Sequence, residues 1–374
     1  MSARRTIAIA IAAAAVCAAC GAIVGPDAGT DSVSLFDRVW SDFDRHYSLF
    51  VVKGINWDSL RAVYRPQAAA ATSDEQVSQV ISRLLANLQD DHVTWRGGRV
   101  GGTPRGIGME QTEPELYVQG GGDIDNSVWY GRVGTSIGYI DIPSFDGTGW
   151  LPDVDSAMTM LDGVTSVIID LRNNQGGLLE NALAVAGRFA ERTKTVAFVR
   201  YRNGIAHSDF TSPIAQQVSP AGRRQFHGRI FLLTSRNTVS AAELFVMAMS
   251  ALGHTTVVGD TTAGETGAPF LRELQNGWTY QFPESVESTI DGRVFEGIGL
   301  APDQPIKNDE RPYSKPSDLQ LERAVALALV HGRSTSLVRP ATFVRPQNAM
   351  VRSSSRWMSS SALLTPASPI APSP

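Results

Sequence analysis

The chain has 374 residues, 43% of them hydrophobic and 19% charged, enough to bury one large core with a smaller unit beside it. A net charge of −4 offers no basic footprint for nucleic acid. The sequence contains no Gly-x-x-x-x-Gly-Lys, His-Glu-x-x-His or paired Cys-x-x-Cys pattern, so no nucleotide loop, no metal site and no cofactor are expected.

Read in chain order, Arg4 and Arg5 precede an apolar run over residues 6–19. The run is short for a membrane span and has the form of a secretory signal. It ends Cys17-Ala18-Ala19-Cys20-Gly21, which resembles a bacterial lipobox with Cys20 as the lipidated residue, although Cys17 stands where Leu is usual. These are the only two cysteines, so no disulfide is expected in the mature body. Residues 1–20 thus read as a lipoprotein-type signal and 21–31 as a linker. Any membrane contact would come through that N-terminal anchor.

Helical spacing of Phe36, Val39, Trp40, Phe43 and Tyr47 predicts a helix over 35–47, and further helices follow over 58–64 and 75–88. They make residues 32–92 a small helical domain. A Gly-rich, weakly periodic stretch occupies 94–128. Beyond it, strands over 137–142, 164–171, 195–201, 230–233 and 255–259 alternate with helices over 153–161, 178–192 and 241–252. That alternation predicts an α/β core with parallel pairing, spanning residues 93–332 with a short β-rich lead-in. Strands over 278–282 and 293–295 and a helix over 318–331 complete it. Residues 333–374, rich in Ser, Pro and Arg, read as a disordered tail.

Four stretches could carry chemistry. Ser240 opens a small-residue helix in "TSRNTVSAAELF", where Ser240-x-x-Glu243 also fits a capping box. "DLRNNQGG" ends a buried strand at Asp170, and its paired glycines Gly176 and Gly177 would turn backbone N–H groups outward. "LQDDHVTW" places His92, a residue suited to general-base work near neutral pH, at the end of a helix. "FEGIGLAPD" sets Glu296 beside glycines. Taken singly, each also reads as an ordinary cap, turn or surface group. Gly134-Thr-Ser136-Ile-Gly138 matches a nucleophile elbow in letters alone, because a strand follows it where the elbow needs a helix.

Together, "LLANLQDDHV", "SVIIDLRNNQGG", "LLTSRNTVSAAELF", "VVGDTTAGETGAP" and "FEGIGLAPD" resemble, in order, the tail-specific or C-terminal-processing serine peptidases, in the branch related to the tricorn core. "FDRVWSDFDRHYSLFVVKGINWDSL" resembles that branch's helical lead-in, and the resemblance covers roughly residues 32 to 330. It implies a ClpP/crotonase-like α/β core and hydrolysis of a peptide or unfolded protein through an acyl-enzyme. It implies Ser240 as nucleophile, with an oxyanion hole from the N–H of Ala241 and of Gly176 or Gly177.

The family's lysine base is not matched: Glu265 stands in the Thr262-Ala263-Gly264-Glu265 stretch, and Lys53, Lys194, Lys307 and Lys315 all lie elsewhere. The resemblance therefore implies His92 as base and Glu296 as its support, with Asp91 as a neighbouring helper. The stretch between His92 and Ile137 falls short of the roughly 50 residues of a small domain, so no PDZ domain is expected. Two other uses of the scaffold stand as alternatives: a silent ligand- or peptide-binding module, and a crotonase-type acyl-CoA enzyme, against which export argues.

Overall fold

The computed structural model describes residues 29–97, 109–110, 112–124, 128–308 and 317–332. The expected signal, lipobox and tail lie outside them. The chain begins with α1 (Ser32–His46), α2 (Phe50–Lys53), α3 (Trp57–Ala69) and α4 (Asp74–Ala86). Asp31, Asn56 and Ser73 accept hydrogen bonds from the first turns of α1, α3 and α4, and Gly54 ends α2 at φ 65°. Helix α3 runs beyond the expected 64 and through Pro66, which removes only one donor near the last turn.

Strands β1 (Thr94–Arg96), β2 (Gln119–Ile124), β3 (Val128–Val133) and β4 (Ile137–Asp141) follow, then α5 (Leu151–Met160) and β5 (Ser166–Asp170). Next come α6 (Leu179–Ala186), β6 (Lys194–Tyr201), β7 (Ile214–Val218), β8 (Arg229–Thr234), α7 (Ala241–Leu252) and β9 (Thr255–Gly259). The last elements are β10 (Pro269–Glu273), β11 (Thr279–Pro283), β12 (Ser285–Ser288), β13 (Gln304–Pro305) and α8 (Leu319–Gly332).

The central sheet has the order β13-β9-β8-β5-β4-β3-β2, parallel from β13 to β4 and antiparallel beyond. Its middle strands are apolar on both faces, as a doubly covered parallel sheet requires. Val167, Ile169, Ile230 and Leu232 join one cluster with α5, α6 and α7. The alternate residues Ile168, Phe231 and Leu233 join another with Leu321, Ala324 and Ala328 of α8. The α/β expectation therefore holds.

Some expected elements differ. Residues 293–295 are not a strand: Phe295 is buried in the core as a loop residue, and its carbonyl accepts turn hydrogen bonds from Ile298 and Gly299. The strand in that region is β12, which pairs with β6. Within 94–128 the Gly-rich stretch contains β1 and β2. The helix expected over 178–192 ends at Ala186 and continues as one 3₁₀ turn, Gly187–Phe189. Helices α1, α3 and α4 share one hydrophobic cluster with Trp95, Tyr280 and Phe282 of the β1-β11-β10 sheet.

A charge cluster ties the end of β5 to the start of α8. Arg172 is fully buried, with Nε 2.9 Å from Asp170 Oδ1 and NH1 2.6 Å from Asp318 Oδ1. Asp170 also accepts from the Tyr139 hydroxyl at 2.6 Å, and Asp318 Oδ1 from the Leu321 N–H. Arg172→Met removes the cation from two buried carboxylates and is expected to destabilise the fold by about 3–5 kcal/mol, measured by urea unfolding.

Candidate active site

The carboxyl ends of the neighbouring parallel strands β5, β8 and β9 open onto one edge of the sheet, where α/β sheets form their crevices. From β5 comes the turn 171–177, from β8 the turn 235–240, and from β9 the loop 260–268.

Ser240 sits at the start of α7 with φ 56° and ψ −121°. It and Gln89 (φ 47°) are the two non-glycine residues with positive φ among the described residues. A serine in that region is strained, by about 1–3 kcal/mol, and persists only where its surroundings fix it. The Ser240 N–H donates to Glu243 Oε2 at 3.2 Å, the backward half of the expected capping box. The Glu243 N–H also donates to the Ser240 main-chain carbonyl at 2.8 Å.

The turn from β5 lies against this serine. A Cβ on Gly176, at φ +95°, would stand 2.8 Å from Ser240 Cβ, 2.9 Å from Val239 O and 3.1 Å from Ala241 N. Only a residue without a side chain fits there. Asn174 wires the turn in place: its carbonyl accepts from Val239 N–H, its Oδ1 from Gly176 N–H at 2.8 Å, and its Nδ2 donates to Ile142 O. The Gly176 N–H is therefore engaged, whereas Gly177, at φ +129°, is exposed.

Glu243 is fully buried and gathers the third loop. Its Oε1 accepts from Thr262 Oγ1 at 2.5 Å and Gly264 N at 2.8 Å, and its Oε2 accepts from Glu265 N at 2.9 Å. Burial pushes its pKa up to about 7 against these hydrogen bonds, which hold it down. Glu265, in the position the family's lysine would take, is thus attached to the same carboxylate as the Ser240 N–H. Its own carboxyl is raised to about 8, chiefly by burial and by its hydrogen bond with Asp91.

His92 meets the next residue of this loop. Its Nδ1 lies 3.2 Å from Thr266 O. Glu296 Oε2 accepts from Thr266 N at 2.8 Å and from Thr266 Oγ1 at 3.1 Å. The hydrogen bonds described at these residues thus join His92 to Glu296 through Thr266, and Ser240 to the same loop through Glu243.

Several of these partners were not singled out from sequence. Asp90 Oδ1 accepts from the His92 N–H at 2.9 Å and its Oδ2 from the Tyr47 hydroxyl at 2.8 Å. Lys53 Nζ lies 2.9 Å from Glu296 Oε1. Thr266 meets His92 through its main-chain carbonyl, which leaves no sequence signal. Glu243 did leave one, as the acid at the third position of an otherwise apolar helix. Among the described residues, no cluster of side chains could hold a metal ion.

The family model described as peptidase family S41 matches residues 136–306, and that of the tricorn protease C1 domain matches 33–86. A Staphylococcus aureus protein named "Probable CtpA-like serine protease" is 30% identical over 209 residues, 52% of this chain and 40% of that protein. The Bacillus subtilis "Carboxy-terminal processing protease CtpA" is 27% identical over 224 residues, 56% of this chain and 45% of that protein. The chain therefore spans less than half the length of these curated relatives. A crystal structure from Parabacteroides merdae, 24% identical, superposes with a TM-score of 0.74 over 82% of this chain and 99% of that one, a likeness of fold. Residues 136–306 are thus similar to peptidase family S41, and residues 33–86 to the tricorn protease C1 domain.

Proposed function

We propose that the protein is a serine endopeptidase in which Ser240 attacks the scissile carbonyl and forms an acyl-enzyme. The observation that carries this reading is the backbone of Ser240, held at φ 56° at a helix start with Gly176 packed against its Cβ. Such strain is retained where function needs it.

His92 serves as the general base. With Nδ1–H donating to Thr266 O, Nε2 keeps its lone pair free to take the Ser240 proton. The imidazolium then returns that proton to the leaving amine, and water releases the acyl group in a second cycle. Glu296 acts one residue removed: it fixes the peptide whose carbonyl orients the imidazole. The developing oxyanion is received by the N–H of Ala241, at the positive end of α7, and by that of Gly177. Gly176 supplies close approach, because its own N–H is held by Asn174. Asp91 and Glu265 form a carboxyl pair sharing a proton beside the serine turn.

The substrate class is a peptide or unfolded protein, in keeping with the C-terminal processing named for the Bacillus subtilis relative. Export through residues 1–20, with lipid attachment at Cys20, is part of this reading and rests on the sequence alone. Among the described residues, no helix is long and apolar enough to cross a membrane.

A fluorophosphonate probe is expected to label the wild-type protein and to fail with Ser240→Ala and His92→Ala, both still folded by circular dichroism. Labelling that survives in Ser240→Ala would place the nucleophile elsewhere. Gly176→Ala should lose at least a hundredfold in labelling rate, since its Cβ would collide with Ser240 and with backbone. The Asp91–Glu265 pair sets a pH dependence. Because the folded Glu265 pKa is raised, its contribution to stability is complete below the unfolded carboxyl value and is lost as pH rises through about 8. The melting temperature of the wild type should therefore fall more steeply than that of Glu265→Gln between pH 5 and 8, measured by scanning fluorimetry.

A further inference from the structure

Lys53 ends α2, in the N-terminal helical segment, far in sequence from the serine. Its ammonium makes two contacts. One is to Glu296 Oε1 at 2.9 Å, between side chains that are 16% and 2% exposed. The other is to the carbonyl of Gln89 at 3.1 Å. Gln89 is the second strained residue, at φ 47°, and it immediately precedes the Asp90-Asp91-His92 turn. A single cation thus holds the strained start of the turn that carries His92, and the carboxylate whose other oxygen holds Thr266, to which His92 Nδ1 is bound.

We propose that Lys53 is a positioning residue of the active site, fixing His92 against Thr266 by bridging Gln89 and Glu296. The inference rests on the Ser240–His92 reading above.

Charge gives the bridge a second effect. The groups around it are mostly acidic: Glu296 from the loop before β13, Asp90 and Asp91 from the histidine turn, Glu265 from the loop after β9, and Glu287 from β12, with Tyr47 from the end of α1 and His92 itself. Burial and Asp90 raise the Glu296 pKa, whereas Lys53 and the Thr266 N–H oppose the rise. Without the ammonium, Glu296 ionises only at higher pH, and until it does it accepts more weakly from the Thr266 N–H that places the carbonyl bound to His92. That removes the working state from the acid side. A purely structural lysine would lower the amount of folded protein and leave the pH midpoint in place.

The test uses the full chain and a fluorophosphonate probe, with labelling rates taken from pH 5.5 to 9 for wild type, Lys53→Met, Lys53→Arg and Ser240→Ala. Lys53→Met is expected to label about tenfold more slowly at pH 7, with its acid limb moved up by about one pH unit, the equivalent of a tenfold change in the fraction of working enzyme. Lys53→Arg, which keeps the charge, is expected to recover the wild-type midpoint. Turnover of fluorescein-casein should show the loss in kcat with KM within twofold. If Lys53→Met does not fold, Lys53→Gln takes its place: a midpoint moved up that Lys53→Arg restores supports the bridge, and a midpoint left at the wild-type value overturns it. A Lys53→Met profile that superimposes on the wild type, or that shrinks without moving, overturns this inference alone. Labelling retained in Ser240→Ala overturns the serine reading and this inference with it.

Discussion

The buried carboxylate of Glu243 is the constraint on which the rest of the site depends. A carboxylate inside an apolar helix loses its hydration, a cost that only several donors can offset. Its donors come from two places, the Ser240 N–H on one side and Thr262, Gly264 and Glu265 on the other. Oε1 takes its donors from the loop alone, and Oε2 takes one from each side. Burying Glu243 therefore requires the turn after β8 and the loop after β9 to close on each other, and that closure brings Thr266 to the histidine. The same carboxylate ties down the N–H of a serine whose backbone conformation is unfavourable.

The second buried hub, Arg172, does for the glycine turn what Glu243 does for the serine turn. Its guanidinium joins Asp170 at the end of β5 to Asp318 at the start of α8. The turn that follows is then pinned from several directions. Thr238 Oγ1 donates to Leu171 O at 2.8 Å, Ser235 Oγ donates to Arg172 O, and Phe145 N donates to Gly176 O at 2.7 Å. Gly176 can lie against Ser240 because the residues before it are held by buried charge and the residues after it by a neighbouring strand end. Preorganised donors of this kind keep their aim when charge develops, which is what stabilisation of a transition state requires.

How much was legible in the sequence follows from where each signal is stored. The doubly covered strands were readable because both faces are apolar, as in Val167-Ile168-Ile169 and Ile230-Phe231-Leu232-Leu233. Strands β7 and β10 were not, because Ile214–Val218 and Pro269–Glu273 are largely exposed and carry no clean alternation. Phe295 misled for the opposite reason: a buried aromatic in a loop looks like part of a strand. Within the site, Ser240, Ala241, Gly176 and Gly177 were local features of two turns. The link from His92 to Glu296 runs through the backbone of Thr266, and a carbonyl acceptor has no residue type to recognise. In the sequence Lys53 is only a lysine outside the stretch of the family's base, and its contact with Glu296 leaves no local signal.

The N-terminal helices are usually read as a lead-in, and their packing argues for a larger part. Phe43 of α1 packs at a tilt on Phe282 with ring centroids 4.2 Å apart, and Trp95, two residues beyond Val93, packs on Trp278 and Tyr280. The apolar face of α1 thus has its partner in the sheet that also carries the strand after His92. Tyr47 and Lys53 leave the ends of α1 and α2 and reach Asp90 and Gln89, on either side of one peptide bond. A histidine in an exposed turn has many rotamers and backbone states to lose, and each costs free energy when the site is assembled. Here that ordering is carried out by packing at a distance from the serine, before any substrate arrives. Under the proposed reading, segment 33–86 thus forms one wall of the site, because Tyr47 and Lys53 are what hold the turn that carries His92.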